Sequence, residues 1–145
     1  MNPNGNKVVV SRRIAATREE LFDAWLDPEG MREWLLPGDA VSAGVQMDPR
    51  VGGALRIIIR NPTQEFEHLG EFRVVDRPSK LVFTWHGANS AGRTTLVTVE
   101  FLKVSDTETE LVLTHEDLQD EEIRRRYESG WGKISERLEN FVQRR

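Results

Sequence analysis

The sequence has no cysteine, a single tyrosine and no apolar run long enough to span a membrane. The missing thiols exclude disulfides, thiolate nucleophiles and every cysteine-containing zinc site, which suits a reducing cytosol and predicts a cytoplasmic protein. The opening residues MNPNGNK carry neither a basic stretch nor an apolar core, so no secretory leader is expected and the chain should begin as written, with no membrane insertion. An excess of one charge is also missing. Twenty Lys and Arg against 24 Asp and Glu give a net charge of −4, which supplies no field for a polyanion and argues against nucleic-acid binding. With three His and no third ligand at metal spacing, neither a metal nor another cofactor is expected.

What remains describes one soluble domain. A chain of 145 residues fits a single folding unit, with a folded surface of roughly 7,600 Å² and about two-thirds of the extended chain's surface buried. Residues 1–6 are polar and rich in Gly, Pro and Asn, so they read as a disordered tail, and residues 7–145 read as the domain. The unusual abundance is aromatic: four Trp and six Phe accompany the lone Tyr. Rings of that size require a core, a pocket or an interface.

The periodicity of apolar residues changes three times along the chain. Val8, Val10 and Ile14 share one parity, with Arg12 interrupting it, and predict a first strand over 8–14. Thr17 followed by Glu20 is a capping box that opens a short helix carrying Leu21, Phe22 and Trp25. Asp27 as a capping carboxylate and Pro28 at the first helical position open a second short helix with Met31, Trp34 and Leu35, which Pro37-Gly38 should end. A weakly alternating stretch from Ala40 to Met47 meets turn chemistry at Asp48–Gly53, predicting a hairpin.

Period-two stripes then continue through Leu55, Ile57 and Ile59; through Phe66, His68, Gly70, Phe72 and Val74; through Leu81, Phe83 and Trp85; through Val97, Val99 and Phe101; and through Leu111, Leu113 and His115. Short turns join them, at Arg77-Pro78-Ser79 and over Gly87–Gly92, so the sheet should be antiparallel with six or seven strands and one wet face. Ile123, Tyr127, Trp131, Ile134, Leu138 and Phe141 then recur every three or four residues over a helix of about five or six turns. Asp120, Glu121 and Glu122 at its start and Arg144 and Arg145 at its end suit its dipole. Gly130 inside it costs about 1 kcal/mol and predicts a packing or cavity reason.

A sheet with one apolar face and a helix with one apolar stripe must cover each other, and a twisted sheet can curl around the helix. This predicts an α+β helix-grip: a curved antiparallel sheet around a long C-terminal helix, two short helices closing one end, and any unfilled space left as an internal pocket.

The segments LFDAWLDPEGMREWL, DPRVGGALRI, GEFRVVDRPSKLVFTW, TLVTVEFLKVSDTETELVLTHEDL and GWGKISERLENFV, in that order, resemble the activator of heat-shock protein 90 ATPase homologue family. That family belongs to the START-like, SRPBCC superfamily, which also contains birch-pollen-allergen-like proteins and polyketide cyclases. The likeness spans Lys7 to Phe141 and implies the same helix-grip fold with a hydrophobic small molecule bound inside. In the eukaryotic co-chaperone this domain accompanies a separate chaperone-binding domain, for which 145 residues leave no room. Ala54 and Leu55 stand where relatives often carry an aromatic, a departure that would alter the pocket floor.

Trp34, Trp85 and Trp131 come from three elements that should face one another, whereas Trp25 reads as packing. His68 and His115 take the inward parity of their strands and His86 the outward one. The ligand-binding candidates are therefore Trp34, Phe66, His68, Phe83, Trp85, His115, Tyr127 and Trp131, with the two inward His and the Tyr127 phenol reading a ligand's polar end. Each also has a plainer reading as core, in which the imidazoles are satisfied by neighbours. Arg124–Arg126 and Glu65, Glu67 and Glu71 read as solvated faces, Gly52-Gly53 as a turn, and Ser11, Ser42, Ser79 and Ser135 lack any nucleophile context.

Three functions follow. The first is non-catalytic binding of a hydrophobic or amphipathic small molecule between sheet and helix. The second, implied by the resemblance alone, is an accessory that activates the ATPase of a heat-shock protein 90-type chaperone. The third is a cyclase or aromatase using His68 or His115 as proton shuttle.

Overall fold

A computed structural model describes residues 6–35, 42–87 and 93–143. Its elements follow in the order β1 (Val8–Ile14), α1 (Arg18–Trp25), α2 (Pro28–Trp34), β2 (Ser42–Met47), β3 (Ala54–Arg60), β4 (Glu65–Asp76), β5 (Lys80–Gly87), β6 (Thr95–Ser105), β7 (Glu108–Glu116) and α3 (Glu121–Gln143). The seven strands form one antiparallel sheet in the order β1-β7-β6-β5-β4-β3-β2, so the chain meanders from β2 to β7 and the first strand closes the far edge. The total surface is 7845 Å², close to the roughly 7,600 Å² expected of a globular chain of this mass.

Both short helices start where local chemistry places them. The Thr17 hydroxyl accepts from the Glu20 amide and the Glu20 carboxylate accepts from the Thr17 amide, each at 3.1 Å, which satisfies two amides that the helix itself leaves open. Asp27 caps α2 by its backbone only: its carbonyl accepts from Met31, and its carboxylate makes no capping bond. The predicted capping role of that side chain is therefore corrected, and Pro28 at the first position carries the start signal. Pro37, Gly38 and the start of the 40–47 stretch lie outside the described residues, as do residues 88–92, Arg144, Arg145 and residues 1–5. Asn6, placed in the tail by composition, accepts from the Leu118 amide at 2.7 Å.

The strand stripes bury as their parity predicts, except at Phe66, which stays half-buried, and at Val74. Leu55, Ile57, Leu81, Phe83, Trp85, Val97, Val99, Phe101, Leu111 and Leu113 form the inner face. In β4 the register against β5 shifts between Phe72 and Val74, where one extra residue is accommodated. A bulge of this kind moves every later side chain to the other face, so Val75, not Val74, packs on the core.

α3 covers the inner face. Its first turn is capped by Asp120, whose carboxylate accepts from the amides of Glu122 and Ile123. Tyr127, Trp131, Ile134, Leu138 and Phe141 are buried along one side. Arg12, which interrupts the β1 stripe, bonds Glu139 of α3 through Nε at 2.9 Å and a terminal nitrogen at 2.7 Å, tying the edge strand to the helix. Gly130 serves no packing purpose: a Cβ there would meet nothing within 4 Å.

Candidate functional site

Seven of the eight predicted residues come together in the space between sheet and helix, and Trp25 joins them. The Trp25 and Trp34 rings meet edge to face at 4.9 Å, and Trp25 also lies 6.2 Å from Phe83 and 6.3 Å from Trp131. Trp131 is 5.5 Å from Trp85, and His68 stacks on Trp85 at 4.8 Å with 20° between planes. These rings touch one another, each such pair adding about 0.5–1.5 kcal/mol beyond area burial. Phe66 is not among them. It sits half-buried near the end of β4, opposite Ile59, and has no ring contact among the described residues.

One further residue, Thr95, explains what the candidates do here. Thr95 was missed because a hydroxyl breaks an apolar stripe, yet it continues the parity of Val97, Val99 and Phe101 and pairs across from Trp85. It is fully buried, at 2 % exposure, and completes a hydrogen-bonded chain. The indole N–H of Trp131 donates to Nδ1 of His115 at 3.0 Å, so Nδ1 carries no proton. The neutral ring then holds its proton on Nε2 and donates to the Thr95 hydroxyl at 2.7 Å, which in turn donates to the Trp85 carbonyl at 2.8 Å. Trp85 returns to the helix by donating its indole N–H to Tyr127 Oη at 3.1 Å.

β5, β6 and β7 are stitched to α3 by this relay, and it commits both nitrogens of His115. His115 is accordingly a satisfied core imidazole and not an open polar handle, and Tyr127 acts there as an acceptor, not as the predicted donor. Burial pushes the His115 pKa down to about 3 and raises that of Tyr127 to about 12, the Trp85 hydrogen bond opposing the latter. A proton shuttle through His115 would first have to break two buried hydrogen bonds.

His68 differs. It is 5 % exposed, burial lowers its pKa to about 4, and its Nδ1 has no partner among the described residues. The ring fits because its cross-strand neighbour is Gly87: a Cβ at that position would overlap Nδ1. Trp25 Nε1 and Trp34 Nε1 are likewise buried without a partner among the described residues. An unpaired buried polar group costs about 1–3 kcal/mol, so three of them inside one core are a substantial local deficit.

The carboxylates of β4 and the arginines of α3 that pair with Glu121 and Glu122 lie on the surface. Glu67 pairs with Arg56 at 2.6 Å, Glu65 with Arg60 at 2.9 Å and Glu71 with Arg73 at 3.2 Å, making the convex face a charge-balanced, solvated one. Arg125 and Arg126 pair with Glu121 and Glu122 one turn earlier. A surface groove of about 370 Å³ beside β2 and β3 is bordered by Arg32, Arg56 and Arg60, each already bonded to a Glu. Ser135 donates to the carbonyl of Trp131 within α3.

A meandering antiparallel sheet wrapped on a C-terminal helix, with its aromatic and polar side chains turned to the space between, defines a START-like helix-grip protein. The chain belongs to the family described as Activator of Hsp90 ATPase homolog 1-like protein, whose profile matches residues 15–143. No curated protein matches the sequence. Among solved structures, a Chromobacterium violaceum protein is similar with a TM-score of 0.86 and 22% identity over 94% of this chain and 96% of that one. A Rhodobacter sphaeroides protein follows at 0.83 and 20%, covering 97% and 94%, and an Arthrobacter aurescens protein at 0.82 and 16%, covering 100% and 90%. At these identities the likeness establishes the fold. No helix among the described residues is long and apolar enough to cross a membrane.

Proposed function

We infer that this protein is a non-catalytic module that binds a hydrophobic or amphipathic small molecule between the sheet and α3. The observation that carries this reading is the convergence of Trp25, Trp34, Phe83, Trp85 and Trp131 from α1, α2, β5 and α3 on one buried cluster that retains unpaired polar atoms at Trp25, Trp34 and His68. Phenylalanine or leucine would fill a purely structural core without stranding an N–H group. Because the rings touch one another, a ligand enters by parting them, and its binding free energy comes from its own desolvation against the aromatic faces. The fold, which houses ligand-binding relatives in the START-like superfamily, supports the same reading.

Parting the rings must alter Trp emission, since all four Trp belong to this cluster. Titration of the full chain with an environment-sensitive hydrophobic dye and a panel of lipid-like molecules should give a saturable change in Trp fluorescence. A flat response across the panel overturns the reading. The family description supports a second reading, activation of a heat-shock protein 90-type ATPase, and a chaperone ATPase rate unchanged by added protein removes it.

A further inference from the structure

We propose that the molecule taken up is uncharged and carries a hydrogen-bond acceptor, of the ketone, ester or quinone carbonyl class, which the indole N–H groups of Trp25 and Trp34 receive. This rests on the reading of the chain as a small-molecule binder. The four Trp divide into two pairs. Trp85 and Trp131 donate to Tyr127 and His115 and are satisfied within the protein, whereas Trp25 and Trp34, in contact with each other at the ends of the two short helices, have no acceptor among the described residues. Each is at least 97 % buried, by exposures of 3 % and 1 %. An indole N–H can only donate, so the group that completes this pair is an acceptor.

Charge decides the rest of the ligand's chemistry. No Lys, Arg, Asp or Glu is buried among the described residues; the buried polar side chains are His68, Thr95, Thr109, His115 and Ser135. Thr95, Thr109, His115 and Ser135 are bonded within the protein, to one another or to backbone carbonyls. Burial keeps both imidazoles neutral at pH 7. A carboxylate or ammonium group brought inside would therefore meet no counter-charge, and desolvating an unpaired ion is far costlier than desolvating a carbonyl. Fatty acids and amines are rejected on this ground, while a plain hydrocarbon leaves both indoles unpaired.

The test uses the full chain and three probes of equal chain length: a methyl ketone, the corresponding alkane and the corresponding fatty acid at pH 8, each followed by Trp fluorescence. The ketone should bind at least about fivefold more tightly than the alkane, a typical single hydrogen bond, and at least about tenfold more tightly than the acid. W34F and W25F, which remove the donor and keep a ring, should shrink the ketone-to-alkane ratio. An acid that binds as well as the ketone, or a wild-type ratio near one, overturns the proposal even if every variant misfolds, because the wild-type comparison needs no substitution. Binding of none of the three overturns the binding function itself, a result distinct from equal binding of all.

Discussion

Trp131 on α3 donates its indole N–H to Nδ1 of His115 on β7 at 3.0 Å, and that one bond fixes the proton on the opposite nitrogen of the ring and the direction of every bond beyond it. The helix is held over the sheet by a directional polar contact as well as by apolar area, and each side chain in the relay depends on its neighbour.

His115→Phe should therefore cost about 2–3 kcal/mol, because it leaves the Trp131 N–H unpaired and withdraws the donor from Thr95. Urea unfolding measures it. The double variant H115F/W131F should lose less than the sum of the two single losses, since it removes both partners of the same bond. Strict additivity would show that the bond contributes nothing.

Stability should fall in mild acid. His68 and His115 have folded pKa values of about 4 and about 3, below the ordinary value of 6.5, so between these limits the unfolded chain binds more protons than the folded one. Their stabilising contribution is complete above pH 6.5 and is lost as the pH falls toward 4, on the order of 3 kcal/mol for each ring. Urea midpoints of the wild type and of H68Q/H115Q from pH 7 to pH 4 check this. The variant should show a flatter dependence, and parallel curves would refute the assignment.

Gly130 and Gly132 both lie inside α3, and a Cβ at either would meet nothing within 4 Å. Gly130→Ala and Gly132→Ala should each stabilise the protein by up to about 1 kcal/mol, through helix propensity and a less disordered unfolded chain. Thermal melting followed by circular dichroism should show both midpoints rising, and a drop in either would mean that the site uses the space.

The fold was readable from the sequence wherever alternation ran unbroken. β7 keeps its parity from end to end and β6 keeps it from Thr95 to Phe101, and the capping box places α1 to the residue. Val74 was misplaced because an inserted residue in a strand leaves no mark in composition, only in pairing. Phe66 has the right parity but lies at the second position of its strand and stays half-buried, and parity says nothing about position along a strand.

The site was legible as a set of inward rings and illegible as a set of bonds. His115 finds its partners 16 and 20 residues away, at Trp131 and Thr95, through sheet register and helix placement. Sequence spacing gives neither, so an imidazole that looked available proves to be occupied. The same limit hid the division of the four Trp into satisfied and unsatisfied pairs.

The pairing of β1 with β7 brings Val8 beside His115, while every other seam of the sheet joins strands adjacent in the chain. Five local hairpin closures can therefore form early, but the last seam must wait for the long loop between Ile14 and Thr109 to close. Arg12, on that strand, meets Glu139 near the other end of the chain. The interior is thus sealed by the least local step of folding, and a chain still emerging from the ribosome would hold its aromatic face open until β7 and α3, the last elements to emerge, reach the waiting β1.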